Sequence, residues 1–219
     1  DKLVTGVQTC ALPIYHKDSV SDWEYDMKTV NISLVGVGGQ GILLTSDILA
    51  KTAALAGFDV KKSEIHGMAQ RGGSVISQVR FGEKVYSPII PDGMSDLLVS
   101  FDRLEALRWR HLLAADGKVI INDAYLVPIT VSSGQQPAVT DLDARLAAEY
   151  PQAKIIDAMA MAAALGNTRA MNMVVAGAIS AVMPFEVATW KQAMQERIPA
   201  KLLEMNLKAF DAGRQALLG

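Results

Sequence analysis

Three glycines in the segment Gly36-Val37-Gly38-Gly39-Gln40-Gly41 have the spacing G-x-G-x-x-G, which is typical of turns that bind an anionic group. Glycines let a backbone turn tightly and approach a partner closely, and the N-terminus of a following helix offers free N–H groups. The amide of Gln40, beside the extra glycine Gly39, is expected to point at whatever approaches. The alternative is a tight strand-to-helix turn that binds nothing.

A second glycine-rich segment, His66-Gly67-Met68-Ala69-Gln70-Arg71-Gly72-Gly73, is predicted to be a structured loop. Arg71 would offer a guanidinium group that suits phosphate or carboxylate. The alternative is an arginine that pins its own loop through carbonyl groups. No catalytic residue and no metal ligand is assigned to this chain alone. The candidate ligand or interface residues of the two segments are Gly36, Gly38, Gly39, Gln40, Gly41, His66, Gly67, Gln70, Arg71, Gly72 and Gly73.

The first glycine segment is predicted to lie between a buried strand and a helix. Ile32, Leu34 and Val35 favour a strand before the turn, and apolar residues at helical spacing follow it over 42–56, with Gly57 as the C-terminal stop. A second strand over 58–65 would complete a strand-helix-strand unit.

Strands and helices alternate along the rest of the chain. A β-hairpin is predicted from the alternating run 74–81 and the short run 84–87, which are joined by Gly82 and Glu83. Further strands are predicted at 96–101, 118–122 and 153–157, and helices at 103–113, 141–150, 158–165, 170–183, 186–196 and 199–218. This order predicts an α/β, Rossmann-like fold: a largely parallel sheet with flanking helices and a β-hairpin excursion.

Residues 27–219 are expected to form a single domain, since 219 residues with 50% hydrophobic content can bury a sizeable core. The segment 1–26 is expected not to belong to the native protein. Its run Val4-Thr5-Gly6-Val7-Gln8-Thr9-Cys10-Ala11-Leu12-Pro13-Ile14 resembles a translated sequencing-adapter fragment. It lacks the uninterrupted apolar stretch of about 7 residues that a secretory signal needs, and Met27 is the expected start.

Charge and cysteine content limit the possible partners. A net charge of −2 gives no basic surface for nucleic acid, and the longest apolar run, 171–183, is shorter than the roughly 20 residues of a membrane span. Cys10 is the single cysteine, and it lies in the segment expected to be non-native. The domain is therefore expected to form no disulfide and to ligate no iron–sulfur cluster, and a cytoplasmic location is expected.

A dinucleotide-binding enzyme is one interpretation of the glycine motif. Glu64 follows Gly41 by 23 residues, near the end of the second predicted strand, where a ribose-binding carboxylate belongs. No acid or base suited to hydride transfer is evident, since His111 is expected to be structural and the role of His66 is open.

Several longer segments resemble the γ-type domain of the 2-oxoacid:ferredoxin oxidoreductases, and within that family the indolepyruvate type. The most specific is His66–Val75. The others are Gly36–Gly41, Tyr86-Ser87-Pro88-Ile89-Ile90-Pro91, Leu104-Glu105-Ala106-Leu107-Arg108-Trp109, Gly166-Asn167-Thr168-Arg169-Ala170-Met171-Asn172-Met173 and Asn206-Leu207-Lys208-Ala209-Phe210-Asp211-Ala212-Gly213. The resemblance covers about 27–219.

The resemblance implies oxidative decarboxylation of an aryl 2-oxo acid with coenzyme A, which gives an aryl-acetyl-CoA, carbon dioxide and reduced ferredoxin. It implies that thiamine diphosphate, Mg and [4Fe-4S] clusters sit on a larger α subunit, in a heterodimer or an α2β2 complex, and that this chain is catalytic only in the complex. The matching loops would bring the glycine backbone, Gln40 and Arg71 beside the thiamine and coenzyme A sites. A free-standing NAD-dependent enzyme and a non-catalytic scaffold are the alternatives.

Overall fold

The computed structural model describes residues 29–66 and 73–219. Within these ranges the strands are β1 Val30–Val37, β2 Asp59–His66, β3 Ser74–Gly82, β4 Ser95–Ser100, β5 Leu113–Asn122 and β6 Lys154–Ile156. The helices are α1 Ile42–Leu55, α2 Arg103–Arg108, α3 Ile129–Ser132, α4 Leu142–Glu149, α5 Ala158–Ala164, α6 Met171–Val182, α7 Val187–Arg197 and α8 Ala200–Leu218. Short 3₁₀ turns occupy Arg110–Leu112 and Thr168–Ala170. The segment 1–26 lies outside the described residues.

The six strands form one sheet in the order β2-β3-β1-β4-β5-β6. The pairs β1–β4, β4–β5 and β5–β6 are parallel, whereas β3 runs antiparallel to both β1 and β2. The predicted α/β fold with a largely parallel sheet is confirmed. In the predicted strand-helix-strand unit, β1 and β2 run in the same direction, but they are not neighbours. Strand β3 lies between them and is antiparallel to both.

The predicted hairpin of 74–81 with 84–87 is wrong, because β3 pairs with β2 and 84–87 forms no strand. Side chains of β3, instead of its backbone, form hydrogen bonds with backbone groups of the segment 87–90. The Gln78 amide donates to the carbonyl of Ile90 (3.3 Å) and accepts from its N–H (3.1 Å). The Arg80 guanidinium donates to the carbonyls of Ser87 and Ile89, each at 2.9 Å.

Two apolar cores cover the two faces of the sheet. The larger lies under α1, α6, α7 and α8 and contains the largest fully buried side chains, among them Trp190, Phe81, Phe101 and Phe210. The smaller lies under α2 and α4, where the Tyr150 hydroxyl donates to the carbonyl of Ala106 at 2.7 Å. Burial raises the pKa of Tyr150 to about 12, so its hydroxyl stays protonated and keeps this bond at neutral pH. None of the helices in the described ranges is long and apolar enough to cross a membrane.

Helix α6 is buried at every position, and its backbone contacts that of α8. A Cβ at Gly177 would lie 1.9 Å from the carbonyl oxygen of Phe210, and one at Gly213 would lie 1.9 Å from that of Val174. Only glycine fits at either position. The close crossing holds the final helix, α8, against α6.

We predict that Gly177→Ala lowers the free energy of unfolding by about 2 kcal/mol or more, because overpacking outweighs the gain of about 1 kcal/mol in helix propensity. Urea unfolding measures the change. Gly134→Ala is the control: it also adds a methyl group, but beyond its two neighbours in the chain no heavy atom lies within 4 Å of the added Cβ. The left-handed backbone at Gly134 is the one source of strain there, and it should lower the free energy of unfolding of this variant by about 1–2 kcal/mol. A Gly177→Ala protein as stable as the wild type would contradict the prediction.

Candidate functional site

The first glycine segment forms the turn between β1 and α1, as predicted, at the carboxyl edge of the sheet. Gly39 and Gly41 have φ angles of +106° and +84°, which disfavour side chains. A Cβ at Gly36 would lie 2.7 Å from Oε1 of Gln40, and a Cβ at Gly41 would lie 2.6 Å from Nδ2 of Asn172, whereas the space around Gly39 is open. Gly36 and Gly41 therefore serve packing, and Gly39 leaves the turn open to approach.

The prediction that the Gln40 amide faces an approaching ligand is wrong. The side chain is buried, its Oε1 accepts from the N–H of Val37 at 2.7 Å, and its Nε2 donates to the carbonyl of Phe101 at 3.1 Å. Strand β4 ends just before that carbonyl, which needs a donor. The local glycine pattern could not reveal this partner, because it lies 61 residues further along the chain.

Asn122, at the end of β5, makes the matching contact from the other side. Its Nδ2 also donates to the Phe101 carbonyl at 3.1 Å, and its Oδ1 accepts from the N–H of Ala158 at 3.0 Å. Two buried amides thus join the carboxyl ends of β1, β4 and β5 to the start of α5. Asn122 was not among the predicted site residues, although a polar residue directly after the apolar run 119–121 was an available signal.

The two glycine segments meet at this edge. The N–H of Gly38 donates to the carbonyl of Gly73 at 2.8 Å, so the second segment returns to the sheet beside the first turn. Gly67, Gln70, Arg71 and Gly72 lie outside the described residues. The backbone of His66 ends β2 in register with Val75.

A buried carboxylate anchors the described end of the second segment. Glu105, on α2, is 2% exposed and accepts hydrogen bonds from the hydroxyl of Ser74 and from Nε1 of Trp109, the latter at 3.1 Å. Arg108 forms an ion pair with its other oxygen. Ser74 directly follows Gly73, so Glu105 links the end of the second glycine segment to α2. The sequence of this helix indicated only the family resemblance, and no role was predicted for Glu105.

Asp102 holds the start of α2 beside the same turn. Its Oδ1 accepts from the N–H groups of Leu104 (2.8 Å) and Glu105 (3.3 Å), and its Oδ2 accepts from that of Leu126 at 2.7 Å. Burial raises the pKa of this carboxyl above its usual value, against the lowering effect of those N–H groups.

Two clefts open at the carboxyl edge, next to the point where the connections from β1 and β4 lead in opposite directions along the sheet. Such a point is where ligands bind in open α/β sheets. The smaller cleft, of about 190 Å³, lies between the Gly38 turn and α2. The larger, of about 830 Å³, lies between that turn, the segment 123–126, α5 and the start of α6. Exposed apolar side chains at or near their rims are Leu126, Val127, Ile129 and Met159.

The carboxylate expected for a dinucleotide lies elsewhere. Glu64 is in register with Ser77 of β3, which is in turn in register with Leu34 of β1. Two strand spacings, about 9–10 Å, therefore separate it from the strand that leads into the glycine turn. Glu64 also forms an ion pair with Lys62. This arrangement removes the main support for a ribose site.

His111 lies apart from both clefts. His111 lies on a 3₁₀ turn instead of the predicted continuous helix, 4.0 Å from a carboxylate oxygen of Asp92 and outside the residues that line either cleft. Across 29–66 and 73–219, no group of three or more His, Cys, Asp or Glu side chains could hold a metal ion. No step that needs a metal is therefore assigned to these residues.

We predict that Gln40→Leu lowers the free energy of unfolding by about 2 kcal/mol, because the buried N–H of Val37 loses its acceptor. Chemical denaturation measures the loss. Gln192→Leu, at an exposed position of α7, is the matched control and should stay within about 0.5 kcal/mol of wild type. If Gln40→Leu were as stable as the control, the amide would not hold the strand ends together.

The sequence of this chain matches a known protein family. The family model described as pyruvate ferredoxin/flavodoxin oxidoreductase matches residues 31–216. The chain is 38% identical to the indolepyruvate oxidoreductase subunit IorB of Pyrococcus horikoshii over 196 residues, which are 87% of this chain and 96% of that protein. It is also 38% identical to IorB of Archaeoglobus fulgidus, with the same coverage of both chains.

Solved structures show the same fold. The γ subunit of a keto/oxoacid ferredoxin oxidoreductase from Geobacter sulfurreducens matches with a TM-score of 0.65 at 22% identity, over 86% of this chain and 98% of that one. A 2-oxoglutarate:ferredoxin oxidoreductase from Magnetococcus marinus matches with a TM-score of 0.67 at 22% identity, over 87% of this chain and 31% of that one. The chain belongs to the pyruvate ferredoxin/flavodoxin oxidoreductase family.

Proposed function

We propose that the chain is the small subunit of an indolepyruvate-type 2-oxoacid:ferredoxin oxidoreductase. The observation that carries the proposal is the 38% identity to IorB proteins over 96% of their length. The complex would convert an aryl 2-oxo acid, coenzyme A and oxidised ferredoxin into an aryl-acetyl-CoA, carbon dioxide and reduced ferredoxin. The two electrons released when the carboxylate leaves as carbon dioxide go to ferredoxin.

This chain has few side chains suited to binding the cofactors of that reaction. A cluster with four thiolate ligands needs more cysteines than the one in this sequence, and the described residues contain no group of three or more His, Cys, Asp or Glu side chains that could hold a metal ion. We therefore propose that a larger subunit carries thiamine diphosphate and the iron–sulfur clusters, in a cytoplasmic heterodimer or α2β2 complex. This chain would complete the site without itself carrying redox centres.

The carboxyl edge of the sheet is the surface proposed to face the partner. Leu126, Val127 and Ile129 have exposures of 47%, 55% and 62%, and they stand together beside the clefts and the Gly38 turn. Contact with a partner would remove this apolar surface from water, at roughly 25 cal/mol for each Å² buried. The same contact would bring both glycine segments to the active site of the complex.

We predict that coexpression with a cluster-bearing partner from the same genome yields a stable complex that oxidises indolepyruvate with coenzyme A and ferredoxin. The chain alone and the partner alone should both be inactive. Size-exclusion chromatography and ferredoxin reduction measure assembly and turnover. A partner that is fully active without this chain would support the scaffold alternative, and NAD reduction by this chain alone would support the dehydrogenase alternative.

We further predict that Arg71→Ala lowers the activity of the assembled complex about tenfold to a hundredfold, because a charge-assisted hydrogen bond contributes roughly 1.5–3 kcal/mol. Arg71→Lys should rescue only part of the activity, since an ammonium group cannot reproduce the two-pronged geometry. Arg145→Ala, at an exposed position of α4, is the control.

The Arg71 variant separates two roles. A protein that no longer copurifies with the partner would place Arg71 at the subunit interface, whereas an assembled complex with a raised KM for coenzyme A would place it at the acceptor site. Wild-type activity together with wild-type assembly would rule out both.

A further inference from the structure

We propose that two copies of this chain associate through strand β2, whose outer edges pair antiparallel about a twofold axis at Ser63 and join the two six-stranded sheets into one. Strand β2 is an end strand of the sheet, and among the described strands it pairs only with β3. Alternate residues of such a strand direct their N–H and C=O groups away from the sheet, where a further strand can bond to them.

Length and composition make β2 the end strand suited to this pairing. It has eight residues, 59–66, whereas β6 at the other end of the sheet has three. No residue of β2 is a proline, so every residue keeps the N–H group that pairing needs. A second copy of β2 has the same length and the same free edge, and it can therefore match this strand along its whole outer side.

Twofold symmetry limits the register of the pairing. An axis perpendicular to the sheet keeps each face on its own side, and directly opposite residues share a face, so the axis must pass beside a residue that lies opposite its own copy. Near the middle of β2 the possible centres are Lys62, Ser63 and Glu64. Lys62 or Glu64 at the axis would place two like charges directly opposite each other, which destabilises a strand pair. Ser63 at the axis avoids this repulsion.

The charges on one face of β2 become complementary in this register. With Ser63 at the axis, Lys62 of each copy lies opposite Glu64 of the other. Within one chain these two side chains already form an ion pair, and Lys62 also contacts Asp47. Lysines on an edge strand commonly prevent association. Here the symmetric register places each lysine beside carboxylates of both chains, so the charges favour this pairing over its neighbours.

The other face of β2 would bury apolar surface. Ile65 is 56% exposed, and in the same register it lies opposite Lys61 of the second copy. The ammonium group of Lys61 forms an ion pair with Asp59 of its own chain. Its aliphatic stem would cover Ile65 of the other copy while the charge stays in water. The exposed isoleucine therefore acquires a partner that an isolated chain does not supply.

The proposed dimer leaves the carboxyl edge of the sheet accessible. Antiparallel pairing turns the carboxyl edges of the two copies in opposite directions, so each copy can hold a larger subunit there. If the proposed function is correct, the β2 pairing selects the α2β2 complex over the heterodimer. The pairing itself is tested on this chain alone, so it fails or succeeds separately from the proposed reaction.

The test is sedimentation-equilibrium ultracentrifugation of the full chain at about 1–100 µM, where we expect a concentration-dependent dimer. Glu64→Lys and Lys62→Glu each place like charges across the strands, so each variant alone should dimerise about tenfold more weakly or worse. A mixture of the two variants should form a heterodimer as strong as the wild-type dimer. Glu204→Lys, the same charge change at an exposed position of α8, is the control and should dimerise normally. Thermal melting shows whether each variant is folded.

Cysteine cross-linking checks the register and keeps the test valid if a charge variant does not fold. In a Cys10→Ser background with copper phenanthroline as the oxidant, Ser63→Cys should form an intermolecular disulfide, because directly opposite residues lie within reach of that bond. Glu64→Cys is the matched control and should cross-link more slowly, since it lies diagonal to its own copy.

Several results would overturn the proposal. A wild-type chain that is monomeric at about 100 µM would do so, as would a dimer that neither charge variant weakens or a mixture that associates no better than its components. Cross-linking at Glu64→Cys as fast as at Ser63→Cys would overturn the register. A monomeric chain whose β2 amides become protected from hydrogen exchange only with the larger subunit would assign this edge to that subunit.

Discussion

One carbonyl group, that of Phe101, holds the carboxyl edge of the sheet together. It accepts hydrogen bonds from two buried amides, Gln40 and Asn122, each at 3.1 Å. These side chains are bonded in turn to the N–H groups of Val37 and Ala158. The ends of three strands and the starts of two helices are therefore positioned against a single oxygen. In the dry interior, where an unpaired amide would be costly, this network fixes the clefts to either side of the turn.

The elements of the fold follow from local pattern with few exceptions. The strand, turn and helix over 30–55, the buried helix near 170–183 and the final helix were all predicted within a few residues, because each has its own apolar period or glycine signal. The hairpin was misplaced for a non-local reason. The amide of Gln78 and the guanidinium of Arg80 hold the backbone of 87–90, and no periodicity in 84–87 encodes those contacts.

In the candidate site, too, local features were predictable from the sequence and long-range contacts were not. Glycine spacing located the turn correctly, since Gly36 and Gly41 are required by close packing and by a positive φ angle. The orientation of Gln40 and the link from Glu105 to Ser74 both depend on partners far away in sequence. Sequence spacing can therefore locate a glycine turn, but only the packed structure shows which of its side chains form structural hydrogen bonds.

The position of β1 in the sheet sets the order in which this chain can fold. β1 is made first among the described strands, yet its neighbours are β3 and β4, with Val37 opposite Ser74 and Ile32 opposite Leu97. The backbone of the central strand therefore has no sheet partner until the ribosome has added dozens more residues. Pairing over such separations is slow, because the loop must close before any contact forms. During synthesis the apolar strand is exposed to association with other chains, and residues 38–73 set how long that exposure lasts.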